Sequence, residues 1–245
     1  VILLDEAEAV GGTLRRLSAA PNLAAWAELV RSLQRRVARS TVTYRPGVRA
    51  GVAEVLAQEP DVVVVATGSV PVAAGFAADR PVLSGLDILA GAGPAAPPDE
   101  GAVVVVGGAE PHLEPLLVAD ALRSWGRPIV LVTEHRAIGP DVEPRTLNAL
   151  LGRLFQHECE IVPMTRVVGW QDGMVQTTHL FSGRARAIPA AAVVTALGRT
   201  ASAGLAAELE ASLDPTVPIY VAGDAYAPRR VTHAVLEGAR YGSVL

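Results

Sequence analysis

The sequence predicts an α/β fold, parallel strands covered by helices, on three observations. Short β-type apolar runs alternate with helical stretches, the pattern of a parallel sheet rather than of a sandwich or a bundle. A Gly-, Pro- and Ala-rich segment from Ala90 to Pro98 offers nothing to bury and separates two folding units. Two distant stretches, Val63-Val-Val-Ala-Thr-Gly-Ser-Val-Pro71 and Val193-Val-Thr-Ala-Leu-Gly-Arg199, share a strand-then-glycine shape.

The elements follow in order. Val1 to Leu4 reads as a strand from the first residue, with no initiator Met and no signal-peptide pattern, so a preceding segment is expected. After the Gly11-Gly12 loop, apolar positions at helical spacing predict a helix from about Leu23 to Ala38. Val42-Thr43-Tyr44 is a short strand, Ala53 to Ala57 a helix, Asp61 to Ala66 a fully buried strand, and Thr67 to Pro71 a turn. Beyond the linker, strand Val103 to Val106, turn Gly107-Gly108, helix Pro115 to Trp125 and strand Ile129 to Thr133 make a complete βαβ unit. A helix from Pro144 to Phe155, weaker strands to Thr178 and a strand Ala192 to Thr195 close it. The chain then returns to the first unit with a strand into a tight turn, Pro218 to Asp224, and a helix from Val231 to Arg240. Residues 1–95 and 215–245 are thus expected to form one domain and 100–200 an inserted second one.

Composition narrows the function. Half of the 245 residues are hydrophobic and 19% are charged, enough apolar material for one large or two modest cores. No apolar run approaches the roughly 20 residues of a membrane-spanning helix, so no membrane partner is expected. The formal charge of −4 and scattered arginines give no basic field for nucleic acid. A single cysteine, Cys159, excludes an internal disulfide or a Cys-x-x-Cys pair, which points to a cytoplasmic protein and to a structural role for Cys159. The five histidines show no pairing at metal-ligand spacing. No metal site and no catalytic residue is expected.

Four motifs carry chemistry. In a dinucleotide-binding βαβ unit an acidic residue closes the second strand, where its carboxylate accepts hydrogen bonds from the adenosine ribose. Asp5 or Glu6 fits that role, and so does a solvated strand end. Gly11-Gly12 lets backbone approach a phosphate or ribose. Ala66-Thr67-Gly68 brings main chain near a ligand at a strand end, or is an ordinary tight turn. Ala222-Gly223-Asp224-Ala225 offers a carboxylate to a ribityl or ribose hydroxyl, followed by a helix start. For Arg229-Arg230 an exposed structural pair is preferred to a phosphate contact.

In this order the motifs resemble the two-dinucleotide-domain flavoproteins. Gly11-Gly12-Thr13-Leu14, Ala20-Pro21-Asn22-Leu23 with Trp26, and Gly223-Asp224-Ala225-Tyr226-Ala227-Pro228-Arg229 resemble the C-terminal, FAD/ADP-binding half of the trimethylamine dehydrogenase, histamine dehydrogenase and 2,4-dienoyl-CoA reductase group. The resemblance implies two interleaved Rossmann-like domains, the first lacking its initial βα unit. It implies FAD, or ADP in its place, with Asp5 at the adenosine ribose, Gly12 and Thr13 lining the same ligand, Val48 near adenine through its backbone, Thr67-Gly68 by the pyrophosphate, and Gly223-Asp224 at the ribityl or diphosphate. It places an old-yellow-enzyme-type barrel with FMN and a 4Fe-4S cluster ahead of this region, so that substrate oxidation lies outside the chain. The expected partners are that barrel, an electron-accepting flavoprotein and a second copy in a homo-oligomer.

The second βαβ unit departs from the pattern. A nicotinamide-binding unit wants Gly-x-Gly-x-x-Gly, whereas the run here is Gly107-Gly108-Ala109-Glu110-Pro111-His112. A methyl group, a negative charge and a histidine fall where close approach to phosphate is needed, which argues against NAD(P)H, and His112 is better read as a helix-start residue. The leading expectation is an FAD- or ADP-binding electron-transfer module of a flavin-dependent oxidoreductase. The rivals are an NAD(P)H-dependent flavin reductase and a non-redox ADP-binding scaffold.

Overall fold

The computed structural model describes residues 1–20, 23–96, 100–108 and 113–245. Pro21-Asn22 of the resembling motif, Pro97-Pro98 of the linker and Ala109 to His112 of the degenerate glycine run lie outside the described residues. The chain divides into two compact units. One comprises Val1–Arg15, Glu28–Val70 and Arg199–Leu245, and the other Arg16–Ala27 and Pro71–Gly198.

The first unit opens with β1 (Ile2–Leu4), followed by α1 (Gly12–Leu17), α2 (Trp26–Ala38), β2 (Thr43–Arg45), α3 (Val52–Leu56), β3 (Val63–Val65) and β4 (Ser69–Pro71). The middle of the chain supplies β5 (Ala77–Ala78), β6 (Leu83–Ser84), α4 (Gly85–Leu89), β7 (Ala102–Gly107), α5 (Glu114–Leu122), β8 (Ile129–Thr133), α6 (Pro144–Phe155), β9 (Cys159–Val162), β10 (Thr165–Gln171), β11 (Met174–His179) and β12 (Ala185–Ala196). The return to the first unit carries β13 (Arg199–Ala201), α7 (Gly204–Glu210), β14 (Ile219–Val221) and α8 (Val231–Val244).

The second unit is built on a sheet of order β5-β10-β11-β12-β7-β8-β9, with β6 also beside β12. β12, β7, β8 and β9 run parallel, while β10, β11 and the start of β12 form antiparallel pairs. The valine run of β7 follows from this placement, since a strand covered on both faces is apolar throughout. Val103 and Val105 face Leu116, Leu122, Leu150 and Leu154 of α5 and α6. Val104 and Val106 face Val167, Trp170, Val175 and Ile188 of β10 to β12. Ile129 and Leu131 against Val130 and Val132 repeat this two-residue alternation in β8. Ala20 and Leu23 of the 16–27 segment join the helical side of this core. Beneath it Asp120 of α5, its side chain 5% exposed, is held by a two-pronged contact from Arg153 at 2.8 and 2.9 Å and by Arg123 at 2.8 Å. A buried carboxylate is stable there because both oxygens are paired.

The first unit is arranged otherwise. β1 pairs in parallel with β2, β14 pairs in parallel with β3, and β4 pairs with β13, each as a two-stranded sheet. A small core of Val55, Val65, Ala206 and Leu209 sits between α3, α7 and the β3–β14 pair. The fully buried strand expected at Asp61–Ala66 is corrected: it shortens to Val63–Val65, and Val64 is 42% exposed. Val63 and Val65 turn to the core, while the opposite pleat has no comparable cover. Two helix boundaries also shift, the first main helix beginning at Trp26 and the last running on to Val244.

Candidate nucleotide site

All the candidate residues belong to the first unit. At the end of β1, the Asp5 N–H donates to the Arg45 carbonyl at 3.2 Å and the Asp5 carbonyl accepts from the Val48 N–H at 2.9 Å. The Asp5 carboxylate accepts from the Ala7 N–H through Oδ1 at 2.9 Å, a local Asx turn that fixes the side chain. Asp5 and Val48 are thus held side by side, and Glu6 is exposed. The turn continues to Gly11 and Gly12, whose φ of +124° and +48° fall where L side chains are strained. A Cβ on Gly11 would meet Arg15 Cβ at 3.0 Å and Val30 Cγ1 at 3.1 Å, whereas one on Gly12 would meet nothing within 4 Å. Gly11 answers to packing. Gly12 leaves open space beside the backbone at the start of α1, next to Thr13.

Close by in sequence to this loop, a cavity of about 410 Å³ is lined by Glu8, Val10, Gln34, Val37, Val42 and Tyr44 among others. The Tyr44 hydroxyl donates to the Ala7 carbonyl at 3.1 Å. Desolvation, with Asp5 and Glu8 nearby, holds its phenol above the usual tyrosine range.

At the end of β3 the chain turns through Ala66, Thr67 and Gly68, the last at φ +74° with open space where a Cβ would stand. The Thr67 hydroxyl donates to the Ser202 carbonyl, and the Ser202 N–H returns a bond to the Gly68 carbonyl at 2.9 Å. Two residues past the end of the neighbouring β14 stands Gly223 at φ +62°, where a side chain would press on Ala234. The Gly223 N–H donates to Glu237 at 2.7 Å. The Arg229 guanidinium, and after it this N–H, hold the Glu237 carboxyl below the usual range. Ala225 is wholly buried and packs beneath the corner.

Asp224 is the centre of a network drawn from separate segments. Its Oδ2 accepts from the Ser69 hydroxyl at 2.9 Å and its Oδ1 from the Arg229 N–H at 3.3 Å. Arg199 donates to Ser69 Oγ at 2.7 Å, to the Ser69 carbonyl at 2.6 Å and, more weakly, to Thr13 Oγ1 at 3.4 Å. Thr13, the Thr67-Gly68 turn and the Gly223-Asp224 corner are therefore brought together, through Ser69 and Arg199. Asp5 and Val48 form a second group, joined to the first through the intervening loop and α1 rather than by a hydrogen bond among the described residues. Sequence reasoning passed over Ser69 and Arg199 as site residues. Both stand directly after the glycines of the internal echo, which marks the turns but not the partners, and in the structure β4 and β13, which begin at them, pair with each other.

In the second unit, a Cβ on Gly108 would lie 2.2 Å from the Leu197 carbonyl oxygen. That glycine is required by its approach to the end of β12 whether or not a nucleotide binds. Cys159 is buried, and desolvation, with Glu160 beside it, pushes its thiol up to about 11. Among the described residues no group of His, Cys, Asp or Glu is placed to hold a metal ion, and no helix is long and apolar enough to cross a membrane.

No protein-family model and no curated protein matches the sequence. Solved structures do. A histamine dehydrogenase from Rhizobium sp. 4-9 superposes with a TM-score of 0.87 and 26% identity, over 100% of this chain and 40% of that one. The resemblance is to the histamine dehydrogenase group. A 6-hydroxypseudooxynicotine amine oxidase from Pseudomonas geniculata N1 gives a TM-score of 0.85 and 25% identity over 99% of this chain and 38% of its own. A 2-naphthoyl-CoA reductase shares the fold at a TM-score of 0.81 and 22% identity, over 100% of this chain and 36% of that one. The resemblance expected from Gly11-Gly12-Thr13-Leu14 and Gly223 to Arg229 is borne out, as is the α/β class. The chain spans about two-fifths of the length of these relatives.

Proposed function

We propose that this chain is the FAD- or ADP-binding, electron-transfer portion of a flavin-dependent oxidoreductase of the histamine dehydrogenase and trimethylamine dehydrogenase type. The observation that carries the reading is the Thr13–Arg199–Ser69–Asp224 network, gathered at the carboxyl ends of parallel strands, where open α/β sheets take their ligands. The space beside Gly12 and Gly68 supports it, since both positions leave backbone uncovered where a phosphate or sugar would lie. Asp5 accepts from the adenosine ribose, with Val48 holding the strand end beside the base. Gly12, Thr13 and Thr67-Gly68 follow the diphosphate, and Asp224 accepts from a ribityl or ribose hydroxyl. A bound flavin would supply the one- and two-electron chemistry, while the residues here bind and orient. FMN, an iron–sulfur cluster and the oxidation of substrate belong to a barrel outside this chain, and a cytoplasmic setting accords with the single buried cysteine.

The test is the nucleotide itself. The intact protein, purified without added cofactor and denatured, is expected to release FAD or ADP, identified by mass, in near-stoichiometric amount. FAD with a flavin absorption band favours electron transfer, and ADP without flavin favours a scaffold. Release of neither contradicts the reading.

A further inference from the structure

We propose that Arg199 and Ser69 act as a positioning relay that presets the Asp224 carboxylate for a ligand hydroxyl. The inference rests on the nucleotide reading above and extends it to two residues that need not touch the ligand. The argument is one of donors and acceptors. A serine hydroxyl has one proton and two lone pairs, and a guanidinium has no acceptor. The contact of 2.7 Å between Arg199 Nε and Ser69 Oγ therefore obliges Ser69 to accept there. Its only proton is left for Asp224 Oδ2, 2.9 Å away. A second prong from Arg199 to the Ser69 carbonyl at 2.6 Å fixes the fork against the backbone, a geometry that the planar guanidinium supplies and an ammonium does not.

With Oδ2 held by Ser69 and Oδ1 by the Arg229 N–H at 3.3 Å, both carboxylate oxygens are oriented before any ligand arrives. Each oxygen keeps a further lone pair, because an ionised carboxylate offers about four acceptor sites. A ribityl or ribose hydroxyl then meets an acceptor that needs no reorganisation, which is where preorganised groups gain affinity. The positive charge of Arg199 acts on Asp224 through one hydroxyl. The carboxylate is thus supported without being closed into an ion pair that would compete with the ligand.

The experiment is a double-mutant cycle on the intact protein, stripped of nucleotide and titrated with FAD by fluorescence quenching. Ser69→Ala is expected to weaken FAD binding by about five- to tenfold, in line with the net worth of one ordinary hydrogen bond acting through Asp224. Ser69→Thr, which keeps the hydroxyl, restores most of that loss. In an Asp224→Ala background Ser69→Ala has no further effect, an outcome that a general structural role for Ser69 would not give. Should Ser69→Ala fail to fold, Arg199→Lys reads the same relay, with the same loss in the wild-type background and none beside Asp224→Ala. Unchanged affinity in these single variants, or losses that add to that of Asp224→Ala, overturns the relay and leaves the nucleotide reading standing. An intact wild-type protein that binds neither FAD nor ADP overturns both.

Discussion

Two valine runs, Val62–Val65 and Val103–Val106, look alike in sequence and fare differently in the fold. In the second unit Val103, Val104 and Val105 are wholly buried and Val106 is 6% exposed, between helices on one face and β10 to β12 on the other. In the first unit Val65 is 2% exposed and Val64 42%. An apolar run specifies a strand. Its burial is decided by what is layered on each face. The candidate site residues divide the same way, since all of them lie in the less covered unit.

The sharpest way to break that comparison is to remove core side chains. Leu131→Ala, at a wholly buried position in β8, is expected to cost about 3 kcal/mol, including the cavity it leaves. Val64→Thr is expected to cost no more than about 0.5 kcal/mol, as for a surface change. Denaturant midpoints at constant slope measure both, and equal losses would abolish the distinction drawn between the units. Next in size is Asp120→Ala, which strands Arg123 and Arg153. Those arginines are 34% and 40% exposed, so water offsets part of the loss and about 2 kcal/mol is expected.

A smaller effect lies at the Gly223–Asp224 corner. Arg229 and the Gly223 N–H lower the carboxyl of Glu237 below its ordinary value near 4.5. A depressed folded value means that the contribution is complete above the unfolded value and disappears as pH falls through the folded one. Between pH 6 and pH 3 the wild type should therefore lose more stability than Glu237→Gln, read from thermal midpoints at each pH. Parallel curves would remove Glu237 from the account. The smallest expected signal is at Cys159. With its thiol at about 11, alkylation at pH 8 should be slow in the native protein and fast once it is unfolded.

Much of the second unit was legible, because a βαβ segment announces itself locally. The β7, α5, β8 and α6 elements fall within a few residues of where periodicity places them. The long strand β12 was not legible over its first half. Only Ala192 to Thr195 of it was expected as strand, and the first half carries Pro189, which cannot donate in a ladder. The structure places Pro189 opposite Met174, just before a register irregularity between Ala190 and Ala192, where the missing donor is tolerated. In the first unit Asp5, Gly11-Gly12, Thr67-Gly68 and Gly223-Asp224 could be read because strand ends and glycine bends have local signatures. Ser69 and Arg199 could not be assigned. Their roles arise from contacts across 130 and 155 positions of sequence, and no local pattern encodes which hydroxyl will face which carboxylate.

The central claim is that the β1 end and the β14 corner serve one adenine-containing nucleotide. Titrating intact, nucleotide-free protein with FAD tests it most directly, comparing wild type with Asp5→Ala and Asp224→Ala. The account predicts that each substitution weakens binding by roughly tenfold or more, about the effect of a lost charged hydrogen bond, while the thermal midpoint stays near that of the wild type. FAD affinity unchanged in both variants would contradict it.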